Sequence, residues 1–245
     1  MPRYKLTIEF AGTNYCGWQR QPNGPTVEEE IERSLNRVLG RPIDVVGQGR
    51  TDSGVHAEGQ TAHFDSPDPI DIGKLKHAFL GVLPRDIAVW NITEVPDDFH
   101  ARFDASFRQY CYRIARYPRP LIRPTSILVL QELDFDAMES CARQIQGVHN
   151  FDSFTKPDNQ NPSSECKVYE SRFSTSDGLW CYHIRADRFV RHLVRRLVGT
   201  MLEVGKGRCE IDEFENLLHQ PDKNKHAHGA PAKGLILKEV GYQNC

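Results

Sequence analysis

The chain has 245 residues, with 31 lysines and arginines against 33 acids and a formal net charge of −2. That length suits one large domain or two small ones with a real core, and near-neutrality argues at first against a simple basic nucleic-acid binder. Apolar residues make up 39% of the chain, and no stretch approaches the roughly 18–20 apolar residues of a membrane span, so no membrane partner is expected.

Residues 4–10 alternate, with Leu6, Ile8 and Phe10 on one face and Lys5, Thr7 and Glu9 on the other, and predict a strand. The opening MPRYKLTIEF lacks the apolar core of a signal peptide, which points to the cytoplasm. A turn-rich stretch, residues 12–25, carries Trp18 and leads to Thr26, which with Glu29 has capping-box spacing for a helix. Val27, Ile31, Leu35, Val38 and Leu39 form its apolar stripe, and Gly40 is its stop. Strands are predicted over 43–46 and 60–65, a helix from Asp71 to Pro84, and a strand over 87–95. This β-α-β-β-α-β order is the split βαβ, or ferredoxin-like, arrangement of an α+β fold.

The second half predicts strands over 107–117 and 127–133, then a helix over 136–146. A hairpin follows around Ser176-Asp177-Gly178, then a helix from Arg188 to Val204, a short helix over 212–219 and a last strand over 235–240. Two α+β lobes are expected, residues 1–104 and 105–245, with a cleft between them as the default site.

Seven scattered cysteines without a C-x-x-C pair suggest reduced thiols. His226-Ala227-His228 lacks a third ligand at recognised spacing, so no metal is expected. Charge is unevenly placed: residues 1–100 carry −5, residues 101–208 carry +5, and the remainder −2. Arginine dominates the basic residues, 21 to 10, and its planar fork suits phosphates. Arg102, Arg108, Arg113, Arg116, Arg119 and Arg123 interleave with aromatics. On the helix expected from Arg188, one face carries Arg188, Arg191, His192, Arg195 and Arg196 opposite an apolar face. Pattern alone leaves open whether this face is merely solvated or grips a polyphosphate.

The loop GQGRTDSGVHA at 47–57 begins like a dinucleotide fingerprint, but Asp52 stands where the third glycine belongs. What remains is a glycine-flanked acid on a turn, with Arg50 two residues before it. Such an aspartate either caps the turn or offers a carboxylate for nucleophilic or acid–base work. A small-molecule enzyme using His56 or His63, and a non-catalytic RNA-binding module, are alternatives on these grounds.

The stretch GRTDSGVHAEGQTAHF closely resembles the signature of the TruA family, the tRNA pseudouridine synthases that modify the anticodon stem-loop. Further agreement lies in EFAGTNYCGWQRQPNGPTVEEEIE, FHARFDASFRQYCYRI, GVHNFDSF, RFVRHLVRRLVGTMLEVGKG and GAPAKGLILKEVGY. Ser53 replaces the family's more usual alanine, and Arg191 its more usual histidine. The resemblance implies the pseudouridine synthase fold and an isomerase that needs no cofactor. It implies Asp52 as the catalytic carboxylate, acting on C1′ or on the 2′ proton. It pairs that acid with Arg195 and makes Tyr110 the ring stacked on uracil. Arg50, Arg108, Arg188, Arg191 and Arg196 are expected to bind substrate, and the partners are tRNA and a second copy in a homodimer.

Overall fold

A computed structural model describes residues 1–155, 163–222, 224 and 227–243. The elements in order are β1 (Arg3–Phe10), α1 (Val27–Leu39), β2 (Val46–Gly47), β3 (His56–Asp65), α2 (Ile72–Val82) and β4 (Ile87–Val95). There follow β5 (Ala105–Ala115), β6 (Ile127–Leu128), α3 (Phe135–Gln144), β7 (Gly147–Asn150), β8 (Glu165–Ser176) and β9 (Leu179–Ala186). The last are α4 (Leu193–Gly205), α5 (Ile211–His219) and β10 (Leu235–Tyr242). The mixed α+β class is as the sequence implied.

The chain divides into two compact units. The first holds Met1–Ser106 and the chain from Ile236 onward, and the second holds Phe107–Leu235. The division falls after Ser106, and the end of the chain belongs with the first unit. The reason is strand pairing: Ile236 and Leu237 of β10 lie parallel to His56 and Ala57 of β3.

In the first unit the strands run in the order β4-β1-β3, with β1 antiparallel to both neighbours. The far edge of β3 is shared, with β2 against Ala62 and His63 and β10 against His56 and Ala57. The β4-β1-β3-β2 order is that of the split βαβ motif. Tyr4, Leu6, Ile8 and Phe10 are buried, as the alternation of β1 required.

Two local expectations change. Thr26 occupies the N-cap of α1, yet its hydroxyl makes no cap bond. Instead the Val27 and Glu28 amides donate to the carbonyls of Gly17 and Trp18 at 3.2 and 3.0 Å, which satisfies helix donors from the preceding turn. The strand expected over 43–46 shrinks to β2, because the Ile43 and Val45 amides are taken by Asn36 and Glu32 of α1 at 2.6 and 3.1 Å. By contrast, α2 starts where expected, and Asp71 caps it by accepting from the Lys74 amide at 3.0 Å.

His63 lies on β3 at 4% exposure, and its Nδ1 accepts from the Ala101 amide at 3.2 Å. Burial, with the charge of Arg3 second, pushes its pKa down to about 4. Between that value and the ordinary 6.5, the unfolded chain binds a proton that the folded chain refuses. Stability therefore rises with pH across this window and is lost as pH falls. We expect about 2 kcal/mol less stability at pH 5 than at pH 7 from this group. Urea midpoints at both pH values should show the loss, and His63→Gln should shrink it.

In the second unit the order is β5-β9-β8-β7, antiparallel throughout, with β6 parallel to β5. The expected hairpin is β8–β9, turning at Asp177 and Gly178 with φ of 49° and 68°. The strand expected over 127–133 is only the two residues of β6. Tyr112, Ile114, Tyr182 and Ile184 are buried, as are Met138 and Cys141 of α3 and Leu197, Val198 and Met201 of α4.

Candidate functional site

Asp52 lies in the loop between β2 and β3, half-buried. Its carbonyl accepts from the Val55 amide at 3.2 Å, closing a tight turn. That turn is gripped by residues 12–18. The Trp18 amide donates to the Thr51 carbonyl at 3.4 Å, while Ser53 Oγ and the Gly54 amide donate to the Tyr15 carbonyl at 3.2 and 3.3 Å. The Gly12 amide donates to His56 Nδ1 at 3.1 Å. On the entry side, Gln60 Nε2 donates to the Gly49 carbonyl at 3.2 Å.

Gly17 lets this clamp close. Its φ is +93°, and a Cβ there would stand 2.3 Å from the Thr51 carbonyl oxygen. Trp18, buried at 2% exposure, donates from Nε1 to Glu28 of α1 at 3.1 Å, so the clamp is tied to the helix as well. Arg50, two residues before Asp52, is exposed. His56 and His63 are both buried, and each accepts through Nδ1 from a backbone amide inside the unit.

The remaining candidate residues belong to the second unit. Tyr110 of β5 is 9% exposed and meets the ring of Phe189 edge-on, with centroids 5.1 Å apart. Arg108, two residues earlier on the same strand face, donates from Nη1 to the Asp187 carbonyl at 2.8 Å. The Arg188 amide donates to the Asp187 carboxylate at 2.7 Å, so Arg108 and Arg188 converge on Asp187.

The long arginine-faced helix is not formed. Residues 188–192 are a loop, and α4 begins only at Leu193 after His192 adopts a left-handed φ of +65°. Helix α4 is buried nearly all round, so it belongs to the core and offers no continuous solvent face. Arg191 stays exposed. Arg196 is 9% exposed and donates from Nη1 to the Thr155 carbonyl at 2.8 Å. Its expected place among the substrate-binding arginines gives way to an internal role, because its guanidinium is turned inward to a backbone acceptor.

Arg195 is held differently. Its Nε donates to the Ala230 carbonyl at 2.9 Å, while its own carbonyl accepts from the Ala230 amide at 2.8 Å. Next to this reciprocal pair, Tyr112 Oη donates to the Pro231 carbonyl at 2.7 Å. Burial pushes the Tyr112 hydroxyl upward, and the positive charge of Arg195 pulls the other way. Gly199 lets the segment come this close, since a Cβ there would stand 2.3 Å from the His228 carbonyl oxygen. Sequence reasoning assigned no role to Gly17, Trp18, Asp187, Phe189 or Ala230. The stretches containing them were visible as motifs, but backbone carbonyls that orient a side chain leave no residue-type signal. His226 lies outside the described residues.

The tRNA pseudouridine synthase family model matches residues 6–104 and 141–243. The chain belongs to the tRNA pseudouridine synthase family. Relatives named tRNA pseudouridine synthase A include that of Bacteroides thetaiotaomicron, 38% identical over 99% of this chain and 91% of its own. Those of Parabacteroides distasonis and Clostridium acetobutylicum are 39% and 38% identical, over 99% of this chain and 96% and 100% of theirs. Members of the family are isomerases. A chain in the crystal structure of a Cbf5–Nop10–Gar1 complex is a much looser likeness, 11% identical over 98% of this chain and 50% of that one, with a TM-score of 0.41. Among the described residues, no helix is long and apolar enough to cross a membrane.

Proposed function

We propose that this chain converts uridine to pseudouridine in the anticodon stem-loop of tRNA, in the cytoplasm and as a homodimer. The family match supplies the reaction and the substrate class. The clamped Asp52 turn is the observation that supports putting the chemistry there. In the reaction the C1′–N1 bond breaks, uracil rotates and C5 joins C1′; the C5 proton leaves to water and N1 takes up a proton in its place. Nothing is oxidised or reduced.

The ionised Asp52 carboxylate attacks C1′ or assists loss of the 2′ proton; both routes need a charged oxygen held in one place. Arg195 is the guanidinium that favours the ionised acid, oriented by Ala230. Tyr110 is the ring laid against uracil. The base must leave the stem first, so unstacking has to be offset by binding, and the exposed Arg50 fills the vacated space. Arg108, Arg188 and Arg191 grip phosphates, and a homodimer would bring two copies of the +5 segment to one RNA.

The test is incubation with tRNA carrying tritium at uridine C5, with no added cofactor. Tritium release is expected; bound RNA without release overturns the reading. Light scattering should give about twice the 28.0 kDa chain mass. Two arginines separate grip from scaffold. Arg191→Gln should lower the slope of log affinity against log salt by about one. Arg196→Gln should leave that slope alone and cost about 1–3 kcal/mol in unfolding, through the Thr155 carbonyl it abandons.

A further inference from the structure

We propose that Cys111, Cys181 and His183 form a binding site for a thiophilic divalent cation, with zinc the best match. One ligand atom from each of the three lies within 4.8 Å of the others. The arrangement is built into the sheet. Cys111 of β5 is the direct cross-strand partner of His183 on β9, and Cys181 is two residues before His183 on the same face. Cys111 is buried and the other two are half-buried, so the set is rigid yet reachable from solvent.

The donors suit a borderline-soft ion. Zinc takes thiolate at about 2.3 Å and imidazole at about 2.0–2.1 Å, which puts tetrahedral ligand atoms about 3.5 Å apart. Ser174 Oγ lies 2.8 Å from His183 Nε2, the kind of outer hydrogen bond that fixes the orientation of a ligating imidazole. Arg113 stands opposite Cys181 and Arg172 opposite His183 in the strand register. Two thiolates would neutralise the ion's charge. On binding, each ligating thiol releases its proton to water. Three protein ligands leave a fourth position for water, so the site is an open one. None of the three residues takes part in the isomerisation proposed above, and Cys111 faces away from the side of β5 that carries Tyr110.

The probe is cobalt(II), added to reduced, chelator-treated protein under nitrogen. One equivalent should produce a thiolate-to-cobalt charge-transfer band in the near ultraviolet and tetrahedral d–d bands in the visible, both bleached by one equivalent of zinc. Cys181→Ser and His183→Ala should each weaken cobalt binding at least tenfold, whereas Cys16→Ser and Cys209→Ser should leave it unchanged. The metal-free melting curve of Cys181→Ser, a half-buried and conservative change, reports that the variant is folded. No charge-transfer band at one equivalent, or a band that survives Cys181→Ser in folded protein, overturns the site.

Discussion

Asp52→Asn is expected to abolish tritium release while leaving tRNA binding within a few-fold of the parent. The amide keeps the size and much of the hydrogen bonding of the carboxylate but carries no charge. It therefore neither attacks C1′ nor accepts the 2′ proton. A single positioned acid–base group contributes about 100- to 10,000-fold, so single-turnover release should fall at least 100-fold. The turn itself should persist, because its bonds run through the Asp52 carbonyl and the backbone and hydroxyl of its neighbours. Binding measured by gel shift on the same preparation separates lost chemistry from lost grip. Release in the variant at even a tenth of the parental rate removes Asp52 from its role.

Gly17→Ala is expected to be nearly as damaging, through the loop that carries Asp52. At φ +93° an alanine carries about 1–2 kcal/mol of backbone strain. Its methyl would also stand 2.3 Å from the Thr51 carbonyl oxygen, and overpacking of that kind costs about 1–3 kcal/mol more. The loop must move to relieve the clash, and Asp52 moves with it. A displacement of about 1 Å at a reacting group is worth about 100-fold in rate. We expect a lower unfolding midpoint, a large fall in single-turnover rate and a much smaller change in tRNA affinity. Gly40→Ala is the comparison: there a φ of +68° meets open space, so it should lose stability alone. Equal losses of rate in the two variants would mean that the clamp does not position Asp52.

Patterns with a period were legible in the sequence, and juxtapositions were not. The alternation in β1, the stripe of α1, the start of α2 and the Asp177-Gly178 hairpin each arise from neighbours within a few residues. Helix α4 shows where that logic stops. Four arginines and a histidine at helical spacing looked like one face, but the chain breaks at His192, and the buried surroundings of Leu193–Gly205 decide the environment of Arg196. The Thr26 capping box failed for a related reason, since the helix donors found carbonyls in the preceding turn before any side chain did. Asp52 was picked out because its motif is long and local. Its clamp was not, because the bonds are made by backbone atoms of residues about 35–40 positions away. The thiol–imidazole set was invisible for the same reason: its ligands sit about seventy residues apart and meet only in the register of β5 with β9.

The shared edge of β3 ties the time at which the protein becomes active to its synthesis. His56 and Ala57, the residues that lead out of the Asp52 turn, pair with Ile236 and Leu237, about 180 positions later. At about 5–20 residues per second, a ribosome needs roughly 10–40 seconds to make the intervening chain. During that interval one edge of the strand leaving the turn has no parallel partner, while the second unit is still being made. Long-range pairings of this kind also close slowly, because the loop entropy must be met before any contact forms. The Asp52 turn is therefore among the early parts of the chain to be made, yet the strand that leaves it gains its last partner only once residue 237 has been added, directly after the second unit.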